Sequence, residues 1–323
     1  MNMNENGNET YDHIPVLLNE VLSFLKPAPG KIIVDGTLGG GGHAEAVLKK
    51  LLPGGRLIGI DRDEDAIQAS RKRLLHYGPA FQAVKATFGD IAEVIAELRI
   101  EGVDGLLLDL GVSSYQLDQS TRGFSYRDDV FLDMRMDQDI PKTAASLLEE
   151  LSHREMARIF REYGEEKWAG RIASFIIKYR LNKGPVTNSG QLVEIIRNAV
   201  PAAARRKGGH PAKRVFQALR IAVNQELENL EKGLRQGIEV LLPGGRIVII
   251  SYHSLEDGIV KKYFREGSQG CICPPGIPVC GCGVVPSLRN LTKKPVYPEN
   301  QEISVNPRSK SARLRSAEKV VQI

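Results

Sequence analysis

Lys31-Ile32-Ile33-Val34-Asp35-Gly36-Thr37-Leu38-Gly39-Gly40-Gly41-Gly42-His43 is the stretch on which the fold is decided. Ile32 to Val34 is a short β-branched run, apolar at successive positions, as a strand buried on both faces of a parallel sheet reads. Four glycines follow, then Ala44, Val47, Leu48 and Leu51 recur at helical spacing. Strand, glycine turn and helix in that order open a doubly wound α/β sheet, in which ligands sit beyond the carboxyl ends of the strands.

The pattern repeats outward from this unit. Upstream, Leu17, Leu18, Val21, Leu22 and Leu25 mark a helix that Pro27, Pro29 and Gly30 end. Downstream, strands are predicted at 56–61, 83–88 and 103–110, with helices at 65–77 and 91–98 between them. From about Ser114 to Ala212 the rhythm breaks. An irregular loop at 125–138 precedes helices predicted at 144–151, 155–163, 168–179 and 189–199, which together read as an inserted helical domain. Val215 to Leu241 then reads as one long amphipathic helix, followed by a strand at 246–251, a helix at 255–264 and candidate closing strands at 295–298 and 312–320. The expected layout is a sheet domain at 1–117 with a disordered tail at 1–10, a helical substrate-recognition domain at 118–212, and the rest of the sheet domain at 213–323.

The composition narrows the function classes. The chain of 323 residues is 42% hydrophobic, enough to bury a core without disulfide or metal staples. No segment has the roughly 18 consecutive apolar residues of a membrane span, and the Asn-rich start, Met1 to Thr10, lacks the apolar core of a secretory signal. A cytoplasmic protein with no membrane partner is expected. The net charge of +5 permits a polyanionic partner without requiring one.

The glycine turn admits two cofactors. Gly39-x-Gly41-x-x-Ala44 satisfies the dinucleotide pattern, with an acid, Asp61, some 20 residues on, which suggests NAD. Asp35 favours S-adenosylmethionine (SAM) instead. A carboxylate suits the sulfonium and amino groups of SAM and would repel a pyrophosphate. Asp61 is placed to hold a ribose diol, and Asp109 ends the fourth predicted strand. Three acids on one rim are hard to explain as packing. Separately, Cys271, Cys273, Cys280 and Cys282 fall within twelve residues. Structural zinc, free thiols and disulfides all remain open for them, because the spacing departs from the usual two-residue gap.

Several further segments carry a family resemblance. They are His13-Ile14-Pro15-Val16-Leu17-Leu18, Asp35 to His43, Asp109-Leu110-Gly111-Val112-Ser113-Ser114-x-Gln116-Leu117-Asp118, Arg122-Gly123-Phe124-Ser125 and Leu132-Asp133-Met134-Arg135-Met136-Asp137. Tyr163-Gly164-Glu165-Glu166, Gly209 to Ala218, His253-Ser254-Leu255-Glu256-Asp257 and Ser311-Ala312-Arg313-Leu314-Arg315 complete the set. With these, the chain resembles the bacterial RNA small subunit methyltransferase H family, formerly called MraW, whose members methylate N4 of one cytidine in the decoding region of 16S rRNA. The resemblance implies a class I SAM-dependent methyltransferase fold with a helical domain inserted after the fourth strand. It implies that Gly41, Gly42 and His43 line the cofactor, that Asp61 holds its ribose, that Phe88 packs near its adenine, and that Asp109 and Gln116 complete the pocket. The implied partner is 16S rRNA or the small ribosomal subunit; a homodimer is left open.

The N4 amine of cytosine is a poor nucleophile, because its lone pair is delocalised into the ring. Methyl transfer to it needs a proton acceptor and in-line placement. Asp109 is the first candidate acceptor, and His253, after the fifth large strand, is the alternative. Seven basic residues and no acid lie between Ile195 and Gln225, among them Arg205-Arg206-Lys207, Lys213-Arg214 and Arg220. Arg308, Lys310, Arg313, Arg315 and Lys319 form a second cluster. Both suit a phosphate backbone. Phe124, Tyr126 and Phe131, near Arg122, Arg127 and Arg135, suit either base stacking or a lid over the cofactor. An NAD-dependent oxidoreductase and a non-catalytic RNA-binding assembly factor are the competing functions.

Overall fold

The computed structural model describes residues 15–113, 116, 119–205, 210–270, 273, 281–283 and 285–320. The predicted tail at 1–10 lies outside them, as do Arg206 to Gly209, Cys271 and Cys280. The chain order begins α1 (Leu18–Leu25), β1 (Ile32–Asp35), α2 (Gly42–Leu51), β2 (Arg56–Asp61), α3 (Glu64–Leu74), β3 (Phe81–Lys85), α4 (Ile91–Glu97) and β4 (Val103–Asp109). Among the described residues six α-helices of four or more residues follow: α5 (Ala144–Glu150), α6 (His153–Glu162), α7 (Ala169–Lys183), α8 (Ser189–Ala199), α9 (Ala202–Arg205) and α10 (Ala212–Asn224). The chain then runs through α11 (Glu226–Val240), β5 (Leu241–Ser251), α12 (Ser254–Gly267), β6 (Leu288–Asn290), α13 (Asn300–Val305) and β7 (Arg313–Lys319). Two compact units result, Met1–Gly111 with Leu230–Ile323, and Val112–Asn229.

The first unit is built on one seven-stranded sheet of order β3-β2-β1-β4-β5-β7-β6. β1 to β5 are parallel, and β7 runs antiparallel between β5 and β6. Alternate strand residues serve opposite faces, as the two-residue period requires. Ile33, Leu57, Leu107 and Val248 meet the apolar stripes of α1, α2 and α3. Val34, Ile58, Leu106 and Ile247 meet those of α4, α11 and α12. Helices on both faces explain why the strands read as unbroken apolar runs. The strand order reverses between β1 and β4, so their carboxyl ends flank the crevice where such sheets take ligands.

The second unit is helical, and among its described residues the only pairing of extended chain is a single bridge between Phe131 and Asn188. Its core is its own: Leu148, Met156, Phe160, Ile172, Leu192 and Leu219 are buried together. Ser152 and Glu155 form a reciprocal capping box at the start of α6, and Thr143 with Ser146 does the same for α5. Each such cap contributes on the order of 1 kcal/mol.

Several expectations need correction. The unit boundaries fall at 111/112 and 229/230, against the expected 117/118 and 212/213, because Val215, Phe216 and Leu219 of α10 are buried in the helical core. The expected single helix from 215 to 241 is two helices, divided at Gln225, which adopts the left-handed conformation (φ 50°). The strand expected at 83–88 is Phe81–Lys85, and Phe88 falls in a short 3-10 turn that Thr87 caps. The strand expected at 295–298 is a single bridge from Val296 to Leu314, while β6 and α13 were not anticipated. No helix among the described residues is long and apolar enough to cross a membrane.

Candidate functional site

The glycine turn does what its composition allows. Gly39 and Gly41 both have positive φ, 50° and 77°, which glycine adopts without a side-chain clash. Gly41 is the N-cap of α2 and Gly42 its first residue. The Gly39 N–H donates to Asp61 Oδ2 at 2.8 Å, so the acid at the end of β2 fixes the turn that follows β1. The other Asp61 oxygen accepts the N–H of Asp63 at 2.9 Å. A side chain at Gly40 would meet nothing within 4 Å, which leaves open space above the turn.

The two strand ends at the sheet's reversal are tied by Thr37, a residue the sequence reading did not single out. Its hydroxyl accepts the Asp109 N–H at 2.6 Å, and its own N–H donates to Asp35 Oδ1 at 3.1 Å. Asp35 is 2% exposed. Burial, opposed by His43 and by the Thr37 N–H, raises its carboxyl from 3.8 to about 6. Burial likewise raises Asp109 to about 7, opposed by a hydrogen bond from Tyr252. Asp61 is raised too, again by burial. In all three acids the leading cause is burial, which disfavours the charged form, and a bound cation would favour it.

His43 sits in the first turn of α2. Its Nε2 lies 2.9 Å from the Val16 carbonyl, so it carries the proton, and Nδ1 faces Asp109 Oδ2 at 3.7 Å. Burial lowers its pKa, which favours the neutral ring. Tyr252, just past β5, donates its hydroxyl to Asp109 Oδ1 at 2.8 Å. No motif had marked this residue. A tyrosine at a strand end is common, and only the register of β5 against β4 brings it to Asp109.

His253 serves a different end. It caps α12, with Nδ1 3.4 Å from the Glu256 N–H and Nε2 3.2 Å from Glu256 Oε1. One ring nitrogen is thus engaged at that helix start, while Nε2 is buried without a hydrogen-bond partner among the described residues. Phe88 is half-buried, and Gly36 and Gly233 lie so close that a side chain at either would meet it within about 3.0 Å. Asp35, His43, Asp61, Phe88 and Asp109 thus belong to one rim of the sheet. Gln116 belongs to the helical unit, where its Oε1 accepts the Ser113 N–H at 3.0 Å.

Many of the basic residues assigned to RNA have structural partners. Arg122 is 3% exposed and donates to the carbonyls of Arg135 and Met136. Arg135 is paired bidentately with Asp133, Arg220 with Glu226, and Arg315 with Asp257. Lys213, Arg308 and Lys310 have exposed side chains. Of the three aromatics, Phe124 and Tyr126 pack against the helical core and Phe131 is 48% exposed. Cys273 and Cys282 are half-buried; with Cys271 and Cys280 outside the described residues, the cysteine cluster has no structural account.

The acidic rim fits SAM in its chemistry: the cofactor's sulfonium and ammonium groups would supply the positive charge that Asp35 and Asp109 lack, and the space above Gly40 would admit it. A dinucleotide pyrophosphate would place anions against the same carboxylates. Comparison with known proteins agrees with this geometry. The family model described as the MraW methylase family matches residues 10–320. The ribosomal RNA small subunit methyltransferase H of Heliobacterium modesticaldum is 53% identical over 311 residues, covering 96% of this chain and 99% of that protein. The same enzyme of Geobacter sulfurreducens is 53% identical over 311 residues, covering 96% and 100%. That of Halothermothrix orenii is 52% identical over 310 residues, covering 96% and 99%. With a family match over residues 10–320 and relatives more than half identical across nearly their whole length, the chain belongs to the MraW methylase family.

Proposed function

We propose that the protein transfers the methyl group of SAM to N4 of a cytidine in the 16S rRNA of the small ribosomal subunit, and that it works in the cytoplasm. The observation that carries this reading is the rim of strand-end acids, Asp35 buried and Asp61 and Asp109 half-buried, beside a glycine turn with open space above it. Gly41, Gly42 and His43 would line the cofactor, Asp61 would hold its ribose and Phe88 its adenine. Gln116 is assigned to the cofactor as well. When bound, SAM supplies an electrophilic methyl group.

Asp109 is the group assigned to the amine. As a carboxylate it accepts the N–H of N4, which returns lone-pair density to nitrogen, and it takes the proton that the methylated amine must lose. A carboxyl raised to about 7 is matched to that task, since it is a stronger base than an ordinary aspartate and still substantially ionised at neutral pH. His43, held neutral and hydrogen-bonded to Val16, stands 3.7 Å from Oδ2 without bonding to it, which leaves that oxygen open to the substrate. The helical unit is assigned to the RNA.

The test is methyl transfer from labelled SAM to small subunits that lack the modification, followed by digestion to nucleosides. Label is expected in N4-methylcytidine and is expected to drop at least a hundredfold in Asp109→Asn. Transfer to another base, or none to subunits or free 16S rRNA despite SAM binding, would overturn the substrate assignment.

A further inference from the structure

The Asp109 carboxylate is approached from several elements. Tyr252 donates its hydroxyl to Oδ1 at 2.8 Å, and His43 of α2 stands 3.7 Å from Oδ2. Tyr252 is itself held in place: its N–H donates to Glu256 Oε2 at 2.8 Å, and Glu256 is 2% exposed. The same Glu256 oxygen lies 3.3 Å from the His253 N–H. The turn from β5 into α12 is thus closed around Glu256, and it delivers the tyrosine hydroxyl to Asp109. The ring stands on the side of Gly111, whose Cβ position lies 3.5 Å from Tyr252 Cδ2.

We propose that Tyr252 is a positioning residue for the methyl transfer: its hydroxyl holds Oδ1 of Asp109, leaves Oδ2 to receive the substrate proton, and sets the pH range over which that carboxylate is charged. This rests on Asp109 being the proton acceptor. An O–H donor favours the charged form of a carboxylate over the neutral form. Among the described residues Tyr252 is the one group that donates a hydrogen bond to the Asp109 side chain. The other ionisable neighbours act differently. Glu256 of α12 and Asp35 of β1 repel the charge. His43 of α2 is neutral and beyond hydrogen-bond distance. Glu302 of α13 faces Tyr252 and His43 rather than Asp109. Burial is the main force raising the Asp109 carboxyl, and the Tyr252 hydrogen bond is the main force opposing it. The tyrosine hydroxyl is pushed well above its ordinary value of 10, chiefly by burial and then by Asp109, so it remains a donor across the working range.

The experiment measures kcat at saturating SAM and RNA from pH 5.5 to 9.5 for the full-length parent, Tyr252→Phe and Asp109→Asn, with SAM Kd alongside. Tyr252→Phe keeps the ring and removes one oxygen. The expected result is a parent profile that rises with pH to a plateau, and a Tyr252→Phe profile whose midpoint lies roughly one pH unit higher. The plateau should fall several-fold, because Asp109 loses the hydrogen bond that aims it. An unchanged midpoint, whether the plateau falls or not, would overturn the inference and leave Tyr252 a packing residue. Failure of the underlying reading looks different: Asp109→Asn would then transfer methyl groups with the parent's rate and profile.

Discussion

Asp35 shows what the site costs the fold. Its carboxyl is held among apolar strand residues and raised from 3.8 to about 6, so the folded protein binds that proton more tightly than the unfolded chain does. A carboxyl of this kind favours folding most below about pH 4 and loses that contribution as pH rises through 6. At pH 8 the loss amounts to about 3 kcal/mol for a change of this size. Asp35→Asn keeps an oxygen for the Thr37 N–H and removes the charge. It is expected to be more stable than the parent at pH 8 by roughly 1–3 kcal/mol, with the difference closing towards pH 4; urea denaturation at the two pH values measures it. The same substitution is expected to weaken SAM binding at least tenfold. In the parent, SAM affinity should fall as pH drops below about 6, because the cation requires the carboxylate and protons compete for it; calorimetric titration between pH 5 and 8 follows this. Equal affinity at pH 5 and 8 would remove Asp35 from the cation's contacts. These strand-end acids were legible in the sequence because an acid closing an apolar run has few structural uses. Thr37 and Tyr252 were not, because their roles depend on which strand ends stand side by side.

Elements show where periodicity stops being informative. The apolar positions from Val215 to Leu241 step by three or four without a break, and they say correctly that one face is buried. They do not say in what. Val215 and Leu219 enter the helical core, Leu230 and Leu234 the core beneath the sheet, and the left-handed Gln225 between them carries neither glycine nor proline to announce it. β5 is similar: Leu241 pairs with Val103 before the Pro243-Gly244-Gly245 turn, so the strand begins earlier than its β-branched run and is bulged. α11 also carries a glycine with a specific purpose. A Cβ at Gly233 would stand 2.6 Å from the Phe88 ring and 3.0 Å from its carbonyl oxygen. Gly233→Ala is therefore expected to displace the Phe88 turn, lowering stability by roughly 1–3 kcal/mol and SAM affinity several-fold. Gly258→Ala, at an exposed position of α12 with nothing within 4 Å, is the contrast and should stabilise by up to about 1 kcal/mol. Thermal denaturation with and without SAM separates the two. Equal effects at both glycines would mean that the gap beside Phe88 is not what Gly233 provides.

The whole molecule carries a net charge of +5, yet its basic residues divide into two populations that sequence alone does not distinguish. One population holds the protein together. Arg315 grips Asp257 at 2.6 and 3.1 Å with both partners nearly buried, and Arg246 reaches Glu318 and the Phe24 carbonyl. Without Arg315, Asp257 keeps only the longer contact to Arg313 at 3.7 Å, so Arg315→Ala is expected to lower stability by roughly 1–3 kcal/mol. The other population is exposed, Lys213 in the helical unit and Lys310 in the sheet unit among them. Charges of this kind meet phosphates at little desolvation cost, and each phosphate contact adds about one counterion to the salt dependence of binding. Lys213→Glu combined with Lys310→Glu should therefore raise KM for RNA at least tenfold at physiological salt and flatten the fall of kcat/KM with added salt. SAM Kd and melting temperature should stay at the parent values. The measurement is kcat/KM for subunits across a salt series, for the parent and the double variant. A parallel pair of salt curves, the double variant merely lower, would show that these lysines do not touch the phosphate backbone and would move the RNA-binding surface to other exposed cations.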